Sequence, residues 1–103
     1  MKQFKEITGK KIFLSGGVSY LSQELVNQHF RFAKNCFDAN FNEIIIPTEL
    51  CKDMADEAEI MFKCLREILT CDIVAMLPNW CYSDGSKIEF SWAKKFDKEI
   101  IYL

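Results

Sequence analysis

Four short apolar runs recur along this chain, each too brief for a helix, and the stretches between them carry helical spacing instead. The runs are Lys11-Ile-Phe-Leu-Ser15, Asn-Glu-Ile-Ile-Ile-Pro at 42–47, Asp-Ile-Val-Ala-Met-Leu at 72–77 and Glu-Ile-Ile-Tyr-Leu at 99–103. Glycine or proline closes the first three, as breakers close strands. Between them Leu25, Val26, Phe30, Ala33 and Phe37 fall on one helical face, behind Ser22 as N-cap, and this helix is expected to run to about Asn40. Met54, Ala58, Met61, Leu65 and Ile68 mark a second helix, capped by Asp53 and ending near Thr70. A third is expected over 86–96. An alternation β-α-β-α-β-α-β requires a parallel sheet with right-handed crossovers. The expected fold is therefore three-layered α/β of the flavodoxin/Rossmann-like kind. Its four parallel strands run in the order 2-1-3-4, with helices on both faces. Residues 1–10 read as a loose N-terminal arm and 11–103 as the α/β domain.

That strand order reverses once, between strands 1 and 3, and open α/β sheets bind ligands outside the carboxyl ends of the strands at such a point. Two loops meet there. One is Ser-Gly-Gly-Val-Ser-Tyr at 15–20, where Gly16 and Gly17 suit a turn of positive φ or a close backbone approach. The other runs from Asn79 to Ser86 through Trp80, Cys81, Ser83, Asp84 and Gly85. A helix beginning at Gly85-Ser86 would offer unpaired N–H groups and the positive end of its dipole to an anion. Glu89 would then lie in its first turn, at the rim of the crevice. A phosphorylated or ribose-bearing small molecule is the expected ligand.

Composition narrows the alternatives. The net charge is −2, and the lysines at 94, 95 and 98 are offset by acidic neighbours, so nothing resembles the basic stripe of a nucleic-acid binder. No apolar run approaches a membrane span, and residues 1–6 lack the apolar core of a signal peptide, which points to a cytoplasmic protein without a membrane partner. Five cysteines without a C-x-x-C pair, and one histidine, argue against a zinc site; no metal and no cofactor are expected. The cysteines read as small buried hydrophobes in a reducing compartment.

Lys11-Ile-Phe-Leu-Ser-Gly-Gly17, together with 71–80 (Cys-Asp-Ile-Val-Ala-Met-Leu-Pro-Asn-Trp), Ser83-Asp-Gly-Ser-Lys-Ile-Glu89 and Ala93, resembles the nucleoside 2-deoxyribosyltransferase superfamily. The nearest subgroup is one of small phage and bacterial proteins of largely unknown function (DUF4406-like) that share Leu-Pro-x-Trp…Ser-x-Gly…Glu. The resemblance implies that Glu89 is a nucleophile. It would attack the anomeric carbon of a deoxynucleoside and form a glycosyl-enzyme ester, which water or a second base resolves, the logic of a retaining glycosidase. It further implies that Ser83 contacts a 5′-phosphate and that the protein is a homodimer with its sites near the subunit contact. Two positions depart from the family pattern. Phe13 stands where a tyrosine hydroxyl commonly lies near the nucleophile, and Cys64 where a middle-helix aspartate commonly handles the proton. Asp84 is then the candidate acid.

Each of these residues also has a plainer reading. Ser86-Lys-Ile-Glu89 has the form of a capping box, in which Glu89 returns to the helix start. Gly85 suits an ordinary turn. Ser15, Ser19, Ser83 and Ser86 either hold a ligand or satisfy local backbone. Trp80 either stacks on a base or packs on a helix, and Asp72 suits a loop-to-strand acceptor. Taken together, the candidate catalytic residues are Glu89 and Asp84, and the candidate binding residues are Ser15, Gly16, Gly17, Trp80, Ser83, Gly85 and Ser86. The expected activity is N-glycosidic hydrolysis or transfer on a deoxynucleoside or its 5′-monophosphate. The alternative is a nucleotide-binding module that uses the same pocket without turnover.

Overall fold

The structure, a computed structural model, describes residues 2–18 and 20–103, so Ser19 lies outside the described residues. Strands β1 (Lys11–Ser15), β2 (Glu43–Ile45), β3 (Ile73–Met76) and β4 (Glu99–Tyr102) form one parallel sheet in the order β2-β1-β3-β4. Helices α1 (Gln23–Lys34), α2 (Pro47–Leu50), α3 (Glu57–Leu69) and α4 (Asp84–Lys95) connect the strands, with a 3₁₀ turn at Trp80–Tyr82. The expected architecture holds.

Alternation along the central strands divides the core in two. Ile12, Leu14, Ile73 and Ala75 face α1, where Val26, Phe30 and Ala33 cover them. Phe13, Val74 and Met76 face the other way, onto Cys64 and Ile68 of α3 and Ala93 of α4. Both central strands are buried on both faces, which is why they read as unbroken apolar runs.

One helix cannot cover four strands, and the N-terminal segment supplies the remainder on the α1 side. This corrects the expectation of a loose arm. Phe4 and Ile7 pack against that core, and Phe4 stacks on Phe37 at 5.6 Å between ring centroids. The Phe4 N–H donates to the Cys36 carbonyl at 2.7 Å. Buried Asn42 ties the segment down further, accepting from the Lys10 N–H and donating to the Ile7 and Asp38 carbonyls.

Several helix limits also move. The first helix stops at Lys34 rather than near Asn40, because the chain turns at Asn35 to bring Cys36 and Phe37 back into the core. Asp56, not Asp53, caps α3 by accepting from the Glu59 N–H, and the short α2 intervenes. Met54 therefore precedes α3, Ala58 is exposed, and Cys64 and Ile68 carry its buried face. The last helix starts at Asp84 with Ser83 as its cap, two residues before the expected start.

Candidate functional site

Ser15 ends β1 on the face that α4 covers, and its side chain is fully enclosed. On α4, Ser86, Glu89 and Ala93 are the buried residues, spaced to form one inward stripe. The Ser15 hydroxyl donates to Glu89 Oε1 at 2.6 Å, a bond that spans 74 residues of sequence. Glu89 is only 6 % exposed. It lies in the second turn of α4 and does not fold back onto the helix start, so the capping-box reading fails. The cap is Ser83, whose Oγ accepts from the Ser86 N–H at 3.2 Å.

Burial pushes the Glu89 carboxyl up to about 7, opposed by the hydrogen bond from Ser15. Desolvation disfavours the charged carboxylate, whereas a donor favours it. A carboxyl balanced near neutrality, with one oriented oxygen, suits a nucleophile or an acid/base group. Glu89 is thus nearly enclosed rather than set at the open rim expected for it.

The two loops do converge, through a residue that the sequence does not single out. Asn79 Oδ1 accepts from the Gly17 N–H at 3.3 Å, its amide nitrogen pairs with His29 Nδ1 at 3.3 Å, and its carbonyl accepts from the Tyr20 hydroxyl at 3.4 Å. The only signal for Asn79 in the sequence is its place just after a strand-ending proline. Gly16 and Gly17 serve this closure and have negative φ. A Cβ on Gly16 would press on Leu77, and one on Gly17 would press on the Tyr20 ring. Close approach, not a left-handed backbone, is what they provide here.

Elsewhere the expected residues separate. Asp84 is exposed in the first turn of α4. Five residues before Glu89, it is rotated about 140° from it around the helix, so it stays away from the buried carboxyl. Trp80 stacks on Phe90 at 4.6 Å, the packing alternative. Gly85 lies against the Met61 methyl, so that an added Cβ would come within 3.3 Å of it and the flexible Met61 side chain would have to shift slightly. Ser83 is half-buried at the helix start, and the N–H groups of Asp84 and Gly85 have no acceptor among the described residues. Asp72 accepts from the Lys11 N–H at 2.8 Å, as its loop-to-strand reading expected. Cys64 is buried 4.0 Å from Cys51, and burial first, then the charge of Glu89, raises its thiol, so it stays protonated. Among the described residues no cluster of three or more His, Cys, Asp or Glu side chains suits a metal. No described helix is long and apolar enough to cross a membrane. Two open clefts lie elsewhere: Phe30, Arg31, Lys34 and Ile46 help line one, Lys11, Phe41 and Asp72 the other, and neither includes Glu89.

The family model described as "Domain of unknown function (DUF4406)" matches residues 10–102. The chain belongs to that family. Among solved structures it is similar to a 2-desoxiribosyltransferase from Leishmania mexicana, with a TM-score of 0.65 over 92 % of this chain and 17 % identity. The chain spans 64 % of that protein's length, and at this identity the likeness is one of fold. No curated protein matches the chain.

Proposed function

We propose that this member of the family cleaves or exchanges the N-glycosidic bond of a deoxynucleoside or its 5′-monophosphate, with Glu89 as nucleophile. The observation that carries the reading is the Ser15–Glu89 pair. A buried carboxyl is poised near neutrality, at the one point where the sheet order reverses. Ser15 acts as a positioning residue rather than a substrate contact. It lies two residues beyond Phe13 on the same strand face and supplies the hydroxyl that Phe13 lacks. The pentose sits over α4. Glu89 attacks the anomeric carbon, the C–N bond breaks, and the base leaves with its electron pair. Water or a second base then displaces the ester. Ser83 and the free N–H groups of Asp84 and Gly85 hold a 5′-phosphate at the helix start. Entry requires side chains at the mouth to part, and Met61, unbranched and beside Gly85, is suited to do so.

Among the described residues no second carboxylate is hydrogen-bonded to Glu89, and Cys64 stays neutral. These features favour a second reading, a nucleotide-binding module without turnover. Large apolar side chains exposed on the α3–α4 layer, among them Phe62, Tyr82 and Ile88, support a homodimer, from which a partner copy would supply an acid.

Chromatography of incubations with deoxynucleosides and their 5′-monophosphates tests the enzyme reading. Free base released by the protein, and not by Glu89→Gln, is the expected result. Tight calorimetric binding with ligand returned unchanged favours the module. Equal base release by both proteins ends the assignment of Glu89.

A further inference from the structure

Ser86 is 1 % exposed, and its hydroxyl has no hydrogen-bond partner, the sole buried side-chain polar atom so placed among the described residues. An enclosed hydroxyl left unpaired is destabilising unless something else satisfies it. Its place in α4 indicates what that is. Ser86 precedes Glu89 by three residues on the buried stripe, about 4.5 Å closer to the helix start along the axis. That start faces the carboxyl ends of the strands, the side on which ligands of such sheets bind. Glu89, Ser86 and Ser83 thus form a ladder of three polar groups leading from the buried carboxyl to the helix start.

We infer that Ser86 reads an α-face hydroxyl of the pentose. The inference rests on the assignment of Glu89 as nucleophile and deepens it. In a β-nucleoside the base projects from one face of the sugar. A carboxylate displacing the base in line approaches the opposite face, which also carries the 2′- and 3′-hydroxyls. With Glu89 beneath the anomeric carbon and the 5′-phosphate near Ser83, the group between them meets those hydroxyls. In a 2′-deoxynucleotide that partner is the 3′-hydroxyl; in a ribonucleotide the 2′-hydroxyl offers the same chemistry. Ser86 is on this reading a specificity-determining residue, with an unpaired hydroxyl in the free protein and a paired one in the complex.

The test compares wild type with Ser86→Ala by calorimetry, using the 2′-deoxy, 3′-deoxy and 2′,3′-dideoxy forms of the nucleoside 5′-monophosphates. Wild type is expected to bind a 2′-deoxynucleotide about 5- to 100-fold more tightly than its dideoxy counterpart, the range for an unmade buried hydrogen bond. Ser86→Ala is expected to lose that preference while binding the dideoxy compound unchanged. The 3′-deoxy form tests the other hydroxyl: tight wild-type binding shows that a 2′-hydroxyl serves as well, and weak binding confines the contact to the 3′ position. Thermal unfolding of Ser86→Ala is expected at the same or higher temperature, because no native hydrogen bond is removed. Equal affinity of wild type for deoxy and dideoxy ligands overturns the role of Ser86 and leaves the nucleotide reading standing. So does an unchanged preference in Ser86→Ala. Failure of wild type to bind any of the nucleotides overturns both.

Discussion

At the scale of single residues, the proposed chemistry turns on a carboxyl that the fold holds at a thermodynamic disadvantage once it ionises. Its folded value of about 7 lies above the ordinary 4.5, so between those values the native state holds more protons than the unfolded chain. Its contribution to stability is then fully present below about pH 4.5 and is lost as pH rises through 7. At about 1.4 kcal/mol for each tenfold change in proton affinity, the loss amounts to roughly 3 kcal/mol. Glu89→Gln is accordingly expected to be more stable than wild type at pH 8 by about that amount, with little difference at pH 4, measured by urea unfolding at both pH values. Ser15→Ala removes the donor that favours the ionised form. The acid limb of the pH–rate profile is expected to move to higher pH, with the rate falling about 10- to 100-fold. A purely structural serine would lower stability and leave that limb in place. Little of this pairing is legible in the sequence. Glu89 stands out through its spacing, but its partner lies 74 residues away and, in sequence alone, reads as a ligand contact. Only the sheet brings the end of β1 beneath α4.

At the scale of elements, local signals locate the strands well and the helix starts less well, for a physical reason. Ser83-x-x-Ser86 and Ser86-x-x-Glu89 offer two overlapping caps. The chain uses the earlier one because the later would draw Glu89 out of the core. Asp53 and Asp56 present the same ambiguity ahead of α3, and the α2 turn takes up the residues between them. Ser83→Ala should therefore cost about 1 kcal/mol of stability as a lost cap. If Ser83 also meets a phosphate, the same variant should weaken binding of a deoxynucleoside 5′-monophosphate while sparing the unphosphorylated nucleoside, measurable by calorimetry on the pair. The loop bridge yields a separate expectation. Asn79→Ala leaves the Gly17 N–H and the His29 ring without their partner, so amide hydrogen exchange should rise in the 15–20 loop while the β1 and β3 amides stay protected.

At the scale of the whole molecule, periodicity is enough to give the sheet order, because four strands alternating with helices leave few topologies. It does not reveal that residues 2–10 complete the α1 side of the core, since two apolar residues in a polar stretch carry no periodic signal. Phe4→Ala is expected to lower stability by about 1–2 kcal/mol in denaturant unfolding, the scale for a half-buried aromatic ring. In sedimentation equilibrium the proposed homodimer should appear at twice the 12.0 kDa of one chain, and a single 12.0 kDa species would count against it. The most direct measurement of the nucleophile assignment is intact-protein and peptide mass spectrometry after brief incubation with deoxynucleoside 5′-monophosphates and acid quench. A deoxyribose-phosphate adduct is expected, confined to the peptide that contains Glu89 and absent from Glu89→Gln. Base release that continues undiminished in Glu89→Gln, with no adduct on that peptide in wild type, would contradict the assignment.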